Sequence, residues 1–275
     1  MKYRGRLAPT PTGLLHLGHA LTFQTAHRRA LEAGGGLVLR IEDIDPRRCK
    51  PEFTRAAIED LRWLGLDWEG APVFQSQRQA LYLDAWRQLK TAGLIYPCSR
   101  SRKDISLLAP HEEEPLFPLE WRGDASSGQS CETPSGVNWR FRVPDGGTVF
   151  FDDLNFGSIE KTAQRDFGDF LVWNRDDVPA YELAVVVDDI AMGITEVVRG
   201  ADLLTSTARQ ILLYRAFGAQ PPAWFHCPLV RDAEGRRLAK RTGAMDLRAL
   251  RATGRSPRDI FEMAQNGQPR KVPSV

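Results

Sequence analysis

A strand-like run at 3–7, a Pro9-Thr10-Pro11-Thr12-Gly13 turn and a helical run opening on His16-Leu17-Gly18-His19 constrain this chain more than any other feature. Strand, turn and helix in that order make the first unit of a parallel α/β sheet. In such sheets, ligands bind beyond the carboxyl ends of the strands. The first turn of the helix offers unpaired N–H groups and the positive end of its dipole to an anion. Gly18 has no side chain, so adenine or ribose could approach the backbone there. His16 and His19 are three apart and share one face of that turn. They could donate to a triphosphate as its α-phosphorus is attacked. The same pair also reads as a plain helix cap, and this segment alone leaves both readings open.

A second feature narrows the choice. Arg236, Arg237, Lys240 and Arg241 crowd a turn after Gly235. Alone, that stretch reads as an exposed basic turn. Together with residues 16–19 it reads as a loop that closes over pyrophosphate and neutralises charge in a transition state. The pair points to ATP-dependent adenylation. Arg40-Ile41-Glu42-Asp43-Ile44-Asp45 ends a strand, where Glu42 faces the same crevice or solvent, and a carboxylate in the crevice suits an α-ammonium group. Asp188-Asp189 follows the apolar run 183–187, and Arg199, in Val198-Arg199-Gly200-Ala201-Asp202, suits a fork-like pairing with a carboxylate.

Periodicity places helices at 17–33, 52–64 and 79–92, with Gly34-Gly35-Gly36 stopping the first, and a strand at 37–41. The texture changes after Tyr96. Residues 99–136 hold four prolines and an acidic triplet, and short strand-like pieces follow at 139–143, 148–151 and 170–173. Alternating helix and strand return from Tyr181, and the tail from 247 suits two short helices. The formal net charge is only +2, but residues 1–30 hold five Lys/Arg and no acid. Residues 231–275 hold eleven Lys/Arg against five acids. A polyanion would be drawn to faces built from the two ends, unless these charges simply solvate the surface. The four cysteines, Cys49, Cys98, Cys131 and Cys227, form no CxxC pair or disulfide framework. With no signal peptide or membrane-length apolar run, the expected location is the cytoplasm, with no membrane partner.

The order GRLAPTPTG, HLGH, RIEDID, AYELAVVVDD, VRGADLL and RLAKR resembles the catalytic domain of class I glutamyl-tRNA synthetases over nearly the whole chain. The resemblance implies an α/β fold of the class I Rossmann nucleotide-binding type. Its parallel sheet has helices on both faces and an inserted α+β module. It implies a first Rossmann half at 1–98, a connective module at 99–180, a second half at 181–246 and a basic helical tail at 247–275. His16 to His19 match the family's HIGH motif, and 237–241 a divergent KMSKS loop with Arg237 for the first Lys and Ala239 for the Ser. His16, His19 and Lys240 are then the catalytic residues, and His16, Gly18, His19 and Lys240 bind ATP. Arg6, Ala8, Thr10, Glu42, Tyr181 and Arg199 match positions that hold L-glutamate. Which arginine takes which carboxylate is left open.

No anticodon-binding domain is expected after the KMSKS-like loop. That brevity resembles the glutamyl-Q tRNA(Asp) synthetase branch, which activates glutamate with ATP and Mg²⁺ without tRNA. Its members transfer glutamate to the queuosine base of tRNA(Asp), and a monomer is expected. Many of that branch bind zinc through Cys-x-Cys and a downstream Tyr-x-x-x-Cys. Here Cys98 is kept, Arg100 stands at the second cysteine, and Phe117 and Trp121 stand at the downstream pair. Cys98, His111 and Cys131 are too irregularly spaced for four tight ligands, so no structural zinc and no other metal site is expected. The alternatives are ordinary charging of tRNA(Glu), a non-catalytic RNA-binding paralogue, and a small-molecule adenylyltransferase.

Overall fold

The computed structural model describes residues 2–101, 104–105, 116–124, 126–230 and 246–266. β1 (Arg4–Leu7) runs into the proline turn, and α1 (Leu17–Glu32) crosses back to β2 (Gly36–Ile41). A Cβ on Gly35 would lie 2.3 Å from the Tyr3 carbonyl oxygen, so only glycine lets the chain re-enter the sheet this close to β1. α2 (Pro51–Trp63) makes the next crossover, with Pro51 in its first turn, where a missing N–H breaks no helical bond. β3 (Glu69–Phe74) and α3 (Gln79–Thr91) follow. The three strands are parallel in the order β1-β2-β3. The expected strands and helices up to residue 92 match these elements to within one residue at each end. β3 was not expected. It carries Gly70 and Pro72 and lies at the edge of its sheet, where proline is tolerated.

β4 (Ile95–Cys98), β5 (Asn138–Phe141), β6 (Thr148–Asp153), β7 (Gly157–Thr162), β8 (Phe170–Asn174) and β9 (Val178–Pro179) come next. Strands β4-β5-β8-β9 form an antiparallel sheet in that order. Trp86, Trp139 and Trp173 are fully buried here, and Trp86 meets Trp139 edge-on with ring centres 4.9 Å apart. The β6–β7 hairpin leaves this sheet and belongs to a second four-stranded sheet, completed by strands that follow.

α4 (Tyr181–Met192), β10 (Glu196–Gly200), α5 (Leu204–Ala216) and β11 (Ala223–Cys227) complete the central unit. Residues 182–189 of α4 are all buried, as expected of a helix apolar around most of its girth. β10 and β11 are parallel, and β11 also pairs with β6. β10 lies against β1: the Thr195 N–H donates to the Arg4 carbonyl at 2.8 Å, and Arg6 Nη1 donates to the Val198 carbonyl at 2.7 Å. The sheet β1-β2-β3 and the sheet β10-β11-β6-β7 therefore abut at β1 and β10, and a crevice opens beyond the carboxyl ends of these two strands. Two short helices do occupy the tail, α6 (Leu247–Ala252) and α7 (Pro257–Asn266). Leu247, Leu250, Ile260 and Ala264 join Leu7, Leu21 and Ala26 in one apolar cluster that braces α1. Among the described residues, no helix is long and apolar enough to cross a membrane.

Candidate active site

A cavity of about 420 Å³ fills that crevice. β1 and the turn after it contribute Arg6, Ala8 and Thr10; the start of α1 contributes His16, Gly18 and His19. Glu42 enters from the end of β2, Tyr181 from the start of α4, and Arg199 from β10. Every described residue that the family resemblance assigned to ATP or glutamate thus lines one space. Asp202, Leu203, Pro228, Leu229 and Val230 also line it and were not singled out. Asp202 stood inside a quoted motif, whereas the other four are apolar or small-ring residues whose sequence carries no chemical signal.

One end of the cavity is set by buried charge. Arg40 is fully buried and donates from Nη1 to Asp189 at 2.6 Å and from Nη2 to Glu42 at 3.2 Å. The Thr10 hydroxyl donates to the other Glu42 oxygen at 3.2 Å. Arg6 Nε lies 3.9 Å from Asp189. Asp188 accepts from Gln75, Arg78 and Tyr82 at 2.6–2.9 Å. The acidic pair therefore holds the scaffold under the cavity, while Glu42 reaches the cavity wall. Burial pushes the Glu42 carboxyl above its ordinary value, opposed by Arg40 and Arg6. Burial pulls Arg6 down, opposed by Asp189. Arg6 and Arg199 thus bring two guanidinium groups to the cavity wall beside the Glu42 carboxylate, a pattern complementary to an ammonium group carried with two carboxylates.

Arg199 is gripped on several sides. Its Nε donates to His226 Nε2 at 3.2 Å, Nη1 to Gln210 at 2.8 Å and Nη2 to Thr207 at 2.7 Å. Sequence reasoning missed His226, whose relation to Arg199 appears only in the parallel register of β10 and β11.

The other end is the start of α1. His16 Nδ1 accepts from the Gly18 N–H, and His19 Nδ1 accepts from the His16 N–H, each at 3.1 Å. A ring nitrogen that accepts carries no proton, so each ring holds its hydrogen on Nε2. The helix-cap reading of this pair is met, because both rings cap the helix through Nδ1, and both rings also line the cavity. A Cβ on Gly18 would sit 3.0 Å from His16 Cε1, so the glycine also makes room for that ring.

Lys240 and the rest of 231–245 lie outside the described residues. Both flanks reach this end: Val230 lines the cavity, and Asp246 forms a bridge with His16. His111 also lies outside the described residues. Cys98 packs with Tyr96, Ile105 and Phe117, whereas Cys131 packs against the main core. Arg100 stacks on Trp121 at 4.5 Å and Arg140 on Phe117 at 4.1 Å. A wider groove of about 850 Å³ adjoins the cavity and shares Thr10, Glu42 and Tyr181 with it. Arg47 and Arg48 line it, paired with the exposed or part-exposed Asp176 and Asp45.

The family model for the catalytic domain of class I tRNA synthetases (E and Q) matches residues 2–265. A glutamyl-Q tRNA(Asp) synthetase from Nitratidesulfovibrio vulgaris is 46% identical over 265 residues, covering 91% of this chain and 82% of its own. One from Rhodobacter capsulatus is 40% identical, covering 93% and 97%. A crystal structure of a glutamate tRNA ligase from Elizabethkingia meningosepticum, in complex with its amino acid, superposes with a TM-score of 0.75 at 28% identity. That match covers 88% of this chain and 53% of the ligase.

Proposed function

Because this chain belongs to the class I tRNA synthetases, as a ligase of the glutamate and glutamine branch, we propose that it activates L-glutamate with ATP and transfers the glutamyl group to the queuosine base of tRNA(Asp). The observation that carries the reading is the single cavity: two buried arginines and one carboxylate at one end, a histidine-capped helix start at the other. Arg6 and Arg199 take the carboxylates of glutamate. Glu42 and the Tyr181 hydroxyl address its ammonium group, and Ala8 and Thr10 complete the wall. Leu203, Leu229 and Val230 offer an apolar flank for adenine, and Asp202 an acceptor for ribose hydroxyls.

A glutamate carboxylate oxygen attacks the α-phosphorus of ATP. A P–O bond forms to the carboxylate, the bond to the β,γ-pyrophosphate breaks, and glutamyl-adenylate and pyrophosphate result. Class I synthetases use ATP with a divalent metal; here Mg²⁺ enters with ATP as part of the substrate. His16 and His19 donate from Nε2 to the phosphate oxygens on which charge develops, and Lys240 adds a cation to the same charge. No covalent enzyme intermediate is required. A hydroxyl of the modified base then attacks the mixed anhydride and AMP leaves. The groove beside Glu42 and Tyr181 gives the nucleoside a route to the activated carboxyl. Activation before RNA binds, by a monomeric enzyme, is part of the same proposal.

The test is transfer of radiolabelled glutamate with ATP to queuosine-containing tRNA(Asp), unmodified tRNA(Asp) and tRNA(Glu). Label on the queuosine form alone is expected. Label on tRNA(Glu) would make the chain an ordinary charging enzyme, and no label with any RNA would return it to the non-catalytic reading. In the same assay Lys240→Ala is expected to slow glutamate-dependent ATP–pyrophosphate exchange.

A further inference from the structure

We propose that His226, held by Asp153 as the tautomer with a bare Nε2, is a positioning residue that sets the plane of the Arg199 guanidinium for a substrate carboxylate. The proposal rests on the glutamate reading of the cavity, but its positioning groups, His226 and Asp153, do not line that cavity.

Asp153 ends β6 and His226 lies on β11, and both side chains are fully buried. Asp153 Oδ2 lies 2.6 Å from His226 Nδ1 and also accepts the His226 main-chain N–H at 3.0 Å. Its Oδ1 accepts the N–H groups of Asn155 and Phe156 at 3.0 and 2.8 Å. A carboxylate that takes three backbone donors is an acceptor, so His226 Nδ1 carries the ring hydrogen. Burial, with Arg199 beside it, pushes the imidazole down to about 4, which keeps it neutral. Nε2 is then a lone pair, and it faces the Nε–H of Arg199 at 3.2 Å. Thr207 closes the group: it accepts from Arg199 Nη2 and lies 3.0 Å from His226 Nε2.

This arrangement fixes a flat group. Gln210 and Thr207 hold the two terminal nitrogens, and two points alone leave the guanidinium free to pivot about the line between them. The His226 contact supplies the third point, and the Trp224 ring covers one face at 5.0 Å. Of five N–H donors, these three bonds use one on each nitrogen. A fourth makes only a 3.5 Å approach to the Leu203 carbonyl. The remaining capacity is aimed by the other three bonds. A planar fork must be oriented to meet a carboxylate along two parallel bonds. The β6–β7 hairpin thereby gains a role in the site: it carries Asp153 beside β11.

Two measurements test this. In ¹⁵N NMR of the wild-type protein, His226 is expected to show a protonated Nδ1 and an unprotonated Nε2; a protonated Nε2 overturns the proposal, whether or not any variant folds. In ATP–pyrophosphate exchange, His226→Leu keeps bulk and loses the acceptor, and about a tenfold rise in the glutamate KM is expected with little change in the ATP KM. His226→Gln restores an acceptor near the Nε2 position and should recover most of that loss. A merely structural role would move both substrates together and would not be rescued. Equal glutamate KM values for His226→Leu and wild type overturn the positioning role. Absence of exchange in the wild type would instead remove the glutamate reading, while the ring ¹⁵N pattern would still decide the Asp153–His226 tautomer.

Discussion

His19 Nδ1 accepts the main-chain N–H of His16 at 3.1 Å, so the second histidine of the motif caps the helix that the first one begins. The ring centres are 3.8 Å apart. Capping uses Nδ1, whereas the phosphate donation proposed for these rings would use Nε2, so the two can be separated. His16→Asn keeps an oxygen where Nδ1 accepts and loses the Nε2–H. It is expected to keep the melting temperature near wild type and to slow pyrophosphate exchange by roughly 10²–10³-fold, the usual cost of one preorganised donor. His16→Ala loses the cap as well, which adds roughly 1 kcal/mol of destabilisation. Exchange at the wild-type rate in His16→Asn would leave the histidine a cap and nothing more.

Glu42, proposed to face the ammonium group of the amino acid, is tied to Arg40 and Thr10. Glu42→Gln keeps shape and hydrogen-bonding capacity and removes the charge opposite an ammonium group. The glutamate KM is expected to rise roughly tenfold or more, with the ATP KM held. Arg40 retains Asp189 and Asp188, so the buried cation stays paired and the fold should persist. Unchanged glutamate kinetics would move the ammonium site elsewhere.

Much of this site is legible in sequence because its residues sit at element ends. The proline turn, the glycine stop after α1 and the acid-rich end of β2 are local signals, and they mark where side chains leave the sheet. Other features are non-local. His226 has no neighbour in sequence that hints at a role; it acquires one when β11 lies parallel to β10. Asp153 is harder still, because β6 begins in a stretch that reads as a separate module and pairs with β11 only through Trp224. β3 escaped notice because Gly70 and Pro72 break the strand pattern of an edge strand. The run Val185-Val186-Val187 illustrates the reverse case: β-branched residues fit a strand, yet burial on all sides of α4 accommodates them in a helix.

Arg100 and Trp121 meet at 4.5 Å, at the two positions where zinc-binding relatives would place cysteines. A guanidinium and an indole offer no thiolate to a metal, and their stacking is worth about 0.5–1 kcal/mol at an exposed site. Protein purified from zinc-replete medium is therefore expected to hold clearly substoichiometric zinc by elemental analysis, and chelation should leave its thermal unfolding unchanged. One tightly held zinc per chain, lost together with stability on chelation, would contradict this.

His226 also makes a prediction about acid. Its ordinary value is 6.5, and in the folded chain burial and Arg199 depress it to about 4. Between those values the unfolded chain binds a proton at this position and the folded chain does not, so stability rises with pH across the window. The contribution is complete above pH 6.5 and is lost as pH falls toward 4, a change on the order of 3 kcal/mol. Carboxylates elsewhere titrate in part of the same range, so wild type alone cannot isolate the effect. His226→Gln carries no titrating group at this position and shares all the others. Denaturant unfolding at steps from pH 7 to pH 4 is therefore expected to show the two proteins diverging, with wild type losing the additional stability. The loss should begin near the unfolded value and level off near the folded one, because below pH 4 both states of wild type carry the proton. Parallel curves for the two proteins across that range would mean that the imidazole is not held neutral between Asp153 and Arg199.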